Sequence, residues 1–190
     1  MIGGCNMKSS VLERANAYIG LNAIALKGEI VVYGSSYMAN FPFYELINRC
    51  HLENAVYNRS IDGMTSDEAE ELLEQCVIQL APKKIFLQLG EADSSADDVI
   101  RYNQMILRTI RTKLPESKVY LLGQSSGNRN ERRINEALKM FCDNIHVFFI
   151  PFMDPVQDLR EQYFGYFKQL VMYFRDHPIG FSDAFVMSQM

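Results

Sequence analysis

The sequence has little that would tie it to a membrane, a nucleic acid or a metal. No apolar run approaches the ~18 residues that span a bilayer, so no membrane span is expected. Lys and Arg number 19 against 23 Asp and Glu, a net charge of −4, and the basic footprint of a nucleic-acid binder is missing. The four cysteines, Cys5, Cys50, Cys76 and Cys142, lie far apart with no CxxC spacing. They read as reduced, mostly buried thiols of a cytoplasmic protein, ahead of zinc or disulfides. The start, MIGGCNMKSSVLERANAYIG, has no basic segment leading into an apolar block, so no signal peptide is expected. No carboxylate spacing matches a cation-binding loop, and neither metal nor cofactor is expected. Repeats, low-complexity tracts and linkers are missing too, so residues 1–190 read as one domain. Histidine is scarce: His51, His146 and His177 are all there are.

What is present is ordinary globular composition, 48% hydrophobic and 22% charged over 190 residues, enough for one substantial core. Apolar runs and amphipathic stretches alternate. The spacing predicts helices over 10–28, 43–50, 65–80, 96–114, 130–142 and 156–175, with a tail over 176–190. Short β-branched and aromatic runs predict strands over 29–34, 54–58, 83–90, 117–123 and 144–152. Five such βα units imply an α/β protein, a three-layer α/β/α sandwich around a five-stranded parallel sheet. Ligands of such sheets bind beyond the carboxyl ends of the strands. The residues to interrogate are therefore Gly34-Ser35-Ser36, 59–65, Glu91-Ala92-Asp93, 124–128 and 154–157.

Together these segments resemble the SGNH, or GDSL, hydrolase family over roughly residues 27–170, which implies that family's flavodoxin-like fold. The family's Gly-Asp-Ser block is Gly34-Ser35-Ser36 here, which puts Ser36 at the nucleophile position. The second block is matched by NRSIDGMT (58–65), with Gly63 at the oxyanion glycine and Ser60 replacing an earlier glycine. The third block, Gly-x-Asn-Asp, is Gly90-Glu91-Ala92-Asp93, so Ala92 stands where the oxyanion asparagine belongs. The final Asp-x-x-His block is best matched by Asp154-Pro155-Val156-Gln157, with Tyr163 at a following tyrosine. Asp154 takes the acid position, and Gln157 stands at the catalytic histidine.

A serine hydroxyl needs a base to become a nucleophile, and Gln157 cannot take a proton. His51 and His146 precede strands and belong at the opposite edge of the sheet. His177 follows the last helix, so only a tail folded back onto the site would bring it to Ser36. The blander roles stay open: Ser36 as a helix-capping or turn serine, and Gly63 as a turn glycine with positive φ. Asp62, Glu91, Asp93 and Asp154 fall at the same edge; Asp93 is expected to be structural, and Arg59 to pair with one of these acids. The last helix carries more aromatic surface than one face needs, which points to a second copy, a homodimer. The expectation is a degenerate member acting as a binding or interaction module for a small ester or carbohydrate. The alternative is a serine esterase or acylhydrolase using Ser36 with an unconventional base.

Overall fold

The computed structural model describes residues 7–48, 52, 54–125, 127–153 and 157–176. Five parallel strands form one sheet among the described residues: β1 (Ile30–Gly34), β2 (Val56–Asn58), β3 (Lys84–Gln88), β4 (Lys118–Leu122) and β5 (Val147–Ile150). Their order is β2-β1-β3-β4-β5. The chain steps outward from β1 to β2, then returns to place β3 on the other side of β1. This reversal lets the connections leaving β1 and β3 diverge and opens a crevice at the carboxyl edge.

The strands are apolar on both faces because both faces are covered. Val31, Tyr33, Ile85, Leu87 and Val119 pack against residues of α1 (Ser9–Asn22), α4 (Ser66–Cys76), α5 (Ala96–Lys113) and α6 (Arg129–Met140). Ile30, Val32, Phe86, Tyr120 and Ile150 pack against α2 (Ser36–Ala39), α3 (Phe43–Ile47) and α7 (Leu159–Phe174). The expected α/β/α layers follow from this alternation along each strand.

Helix starts carry their own signals. Ser95 caps α5 by accepting from Asp98 N (3.3 Å), and Asn128 and Glu131 form a reciprocal capping box on α6. The aromatic stripe of α7 is largely consumed by this chain's own core. Tyr166, Phe167, Leu170 and Phe174 are buried, and the Phe174 ring lies edge-on 4.6 Å from that of Phe86. Leu159, Met172 and Tyr173 remain as its exposed large apolar side chains among the described residues.

Lys84 interrupts an otherwise apolar strand for a reason that lies far along the chain. Its Nζ donates to Tyr173 O (2.9 Å) and Arg175 O (2.7 Å) and pairs with Asp176 Oδ1 (2.8 Å). A cation is thus placed on the carbonyl end of α7, where the helix dipole favours it. Burial opposes the Asp176 charge, but Lys83, Lys84 and Asn54 outweigh it and hold that carboxyl well below its ordinary range.

Several boundaries differ from the sequence expectation. The first helix ends at Asn22, not residue 28. There the Asn22 side chain donates to Gln75 O (2.8 Å) and accepts from Arg59 Nε (2.9 Å). The segment 65–80 divides into α4 and a single 3₁₀ turn, Ile78–Leu80, that closes on Ala81 at φ 44°. The last strand begins at Val147, not 144, because Asp143 Oδ1 gathers the N–H groups of Ile145, His146 and Val147 into a turn, with Asn144 at φ 58°. Burial opposes this carboxylate, yet those three donors and His146 bring it down to about 2. Helix α2, four residues long, has no periodicity that could announce it.

Candidate functional site

The site begins where β1 stops. Gly34 is in register with Gln88 of β3, and a Cβ on it would lie 2.5 Å from the Gln88 carbonyl oxygen. The same carbonyl accepts from Ser35 N (3.0 Å). Ser35 is the N-cap residue of α2, but its hydroxyl turns away to donate to Met64 O (2.8 Å), tying this turn to the loop after β2. Ser36 is therefore the first helical residue and not the cap.

Ser36 Oγ accepts a hydrogen bond from Gly63 N at 3.0 Å. The two residues are brought together because β1 and β2 are neighbours whose loops are stitched in sequence. Arg59 N donates to Val32 O (2.8 Å), Ile61 N to Gly34 O (3.0 Å), and Asn58 Nδ2 to Met38 O (2.8 Å). Gly63 has φ +71°, a left-handed conformation that suits glycine, and Lys8 Nζ donates to its carbonyl (2.6 Å). Gly63 is thus both a turn glycine and the donor to Ser36.

Two acids arrive from the loop after β3. Glu91 Oε2 accepts from Tyr37 N (2.7 Å), the N–H next after Ser36. Burial raises the Glu91 carboxyl, and the nearby Asp62 charge adds to this, while the Tyr37 N–H opposes it. Asp93 accepts from Ser66 N (3.1 Å) and Ser66 Oγ (3.0 Å), seating a carboxylate on the first turn of α4. Burial raises Asp93 despite those bonds. Its role is structural, so Asp93→Ala is expected to cost about 1.5–3 kcal/mol in urea unfolding. Asp93→Asn keeps one acceptor oxygen and is expected to recover part of that loss.

The other residues singled out from sequence fare differently. Ala92 is half-buried and lines a cavity with Thr65, Asp67 and Asp93, offering no polar group. Gln157 is exposed, one residue before Asp158, the N-cap of α7. Asp154, His51 and His177 lie outside the described residues. His146 immediately precedes β5, at the amino edge. Among the described residues Arg59 pairs with no acid. It is 4% exposed, lies over the rings of Tyr18 (5.1 Å) and Tyr57 (5.2 Å), and bonds Asn22. The guanidinium is held between these rings and the Asn22 amide, and Asp62 makes no ion pair with it among the described residues. Sequence reasoning noticed Glu91 only as one acid among four. Its contact with Tyr37 depends on β1–β3 adjacency, which no local pattern encodes.

No family model matches the chain, and no curated protein matches it. Solved structures do. A Streptococcus pneumonia protein provisionally assigned as a platelet activating factor is 21% identical, with TM-score 0.66 over 81% of this chain and 80% of its own. A provisionally assigned acylhydrolase from Bacteroides fragilis is 15% identical, with TM-score 0.63 over 77% and 79%. A GDSL-like lipase from Bacteroides thetaiotaomicron is 14% identical, with TM-score 0.57 over 73% and 77%. The strand order, the layers and these likenesses agree: the chain has the fold of the SGNH, or GDSL, hydrolases.

Proposed function

We propose that this protein is a divergent member of the SGNH hydrolase family that binds a small ligand in the β1/β3 crevice with little or no ester hydrolysis. The observation that carries this is the company of Ser36. Its hydroxyl is met by Gly63 N, but no imidazole stands at the carboxyl edge among the described residues. Losing the base of a serine–histidine unit costs up to about 10⁶ in turnover, and losing one oxyanion donor about 10²–10³. Ala92 supplies no such donor. The Glu91 carboxylate on the neighbouring N–H further disfavours a second negative charge beside Ser36. The ligand chemistry is that of the lipases and acylhydrolases of like fold, a small ester or a fragment of one. The test is hydrolysis of p-nitrophenyl acetate, with fluorophosphonate labelling. Wild type and Ser36→Ala are expected to give the same rate, and Ser36 to remain unlabelled. A Ser36-dependent burst would reject the proposal.

One observation favours a second reading, a serine esterase. Ser36 and Gly63 hold a nucleophile-to-donor distance of 3.0 Å, and the Glu91 carboxyl, raised above its ordinary range, lies beside them on the Tyr37 N–H (2.7 Å). If Glu91 took the proton, Ser36-dependent turnover would rise with pH as that raised carboxyl ionises, and Glu91→Gln would abolish it. A pH–rate profile of both proteins separates the two readings.

A further inference from the structure

The turn that carries Gly63 is fastened on both sides of that residue. Ser60 O accepts from Tyr18 Oη (3.1 Å), and Ile61 N donates to Gly34 O (3.0 Å). Beyond it, Met64 O accepts from Ser35 Oγ (2.8 Å), and Thr65 N donates to Glu68 Oε2 (3.0 Å). Gly63 itself is not packed in place: a Cβ built on it would meet nothing within 4 Å beyond its chain neighbours. Glycine turns about its own backbone bonds more freely than any other residue. Holding its carbonyl therefore helps to fix the direction of its N–H.

That carbonyl is held by Lys8, whose Nζ donates to Gly63 O at 2.6 Å. Taking the crevice at Ser36 as the ligand site, we propose that Lys8 is a positioning residue of it. From the start of α1 it pins the Gly63 carbonyl and so keeps the Gly63 N–H on Ser36 Oγ, 3.0 Å away. Lys8 lies upstream of the stretch that resembles the family, so none of the family's blocks announces this role.

Lys8 stands where its own helix has no use for a lysine. It is the N-cap residue of α1, yet its side chain makes no cap, and a cation at a helix N-terminus opposes the dipole. Ser9 and Ser10, which are better capping residues, follow it directly. What the lysine reaches accounts for its place. Its backbone N donates to Glu68 Oε1 (2.9 Å), and its ammonium lies 4.0 Å from Glu68 Oε2. Glu68 is 3% exposed, and the same carboxylate accepts from Thr65 N at the end of the Gly63 turn. One buried acid thus locates both the lysine backbone and the turn, which sets the short span that the side chain bridges.

The test follows the Gly63 amide by NMR in the isotope-labelled full chain. Lys8→Met is expected to shift the Gly63 N–H resonance and to speed its hydrogen exchange about threefold or more, the scale of a half-exposed charged contact. Lys8→Arg keeps a charged donor and is expected to restore part of both. Lys113→Met removes a like charge from the far end of α5, where it pairs with Glu74, and should leave Gly63 unmoved. The urea midpoints of Lys8→Met and Lys113→Met are expected to agree, since both side chains are about half exposed. A Gly63 amide indifferent to Lys8→Met, a Lys8→Arg protein no closer to wild type than Lys8→Met, or exchange that quickens across the whole sheet would overturn the role. Ser36-dependent hydrolysis of p-nitrophenyl acetate by wild type, with the Gly63 response as expected, would overturn the proposed function and leave the role of Lys8 standing.

Discussion

Gly34→Ala is expected to lose about 3 kcal/mol or more of stability, measured as a fall in the urea midpoint, or to fail to fold. The added methyl would sit 2.5 Å from the Gln88 carbonyl oxygen. That oxygen belongs to the backbone of a central strand, so no rotamer change relieves the contact. Moving it also strains the bond it accepts from Ser35 N (3.0 Å). The displacement would pass to Ser36, whose contact with Gly63 is 3.0 Å long. Gly20→Ala is the control. Gly20 lies inside α1, and a methyl added there would meet nothing within 4 Å, so alanine should add about 0.5–1 kcal/mol. A Gly34→Ala protein as stable as wild type would mean that β1 and β3 do not touch at this point.

The second large effect is a gain. Ala92→Asn combined with Gln157→His is expected to create Ser36-dependent hydrolysis of p-nitrophenyl acetate at least about 10² above either single variant, because groups acting as one catalytic unit are strongly non-additive. The parts already present are the serine and the Gly63 donor, 3.0 Å apart. The asparagine would add a second donor from the loop that already carries Glu91 and Asp93. The imidazole would supply the base, oriented by Asp154, the acid of the family pattern. Position 157 is exposed, so the histidine has room to adopt its rotamer, and the geometry is unforgiving: a misplacement of 1 Å costs about 10² in rate. A folded double variant without added activity would mean that Asp154-Pro155-Val156-Gln157 is not the counterpart of the family's last block.

Sheet and layers were legible because they rest on local signals. Short apolar runs such as Val31-Val32-Tyr33 are written in adjacent residues. The strand ends could be nominated the same way, which brought Ser36 and Gly63 forward together. What could not be read were bonds between residues far apart in the chain. Lys84 looks like a flaw in a strand until the end of α7 is folded beside it, 89 residues later. Arg59, expected to answer an acid, instead lies over Tyr18 and bonds Asn22, because α1 packs across the loop after β2. Glu91 gained its place beside Ser36 from strand adjacency. Such contacts depend on topology, and composition carries no trace of them.

The opening between β1 and β3 is drawn by the path of the chain, by the reversal that puts β2 and β3 on opposite sides of β1. No side chain creates it. An exchange at Ala92, on the loop after β3, leaves the sheet untouched, whereas one at Gly34, packed against the Gln88 carbonyl, does not. A hollow that comes from the path of the backbone outlasts any exchange of the groups that stand around it.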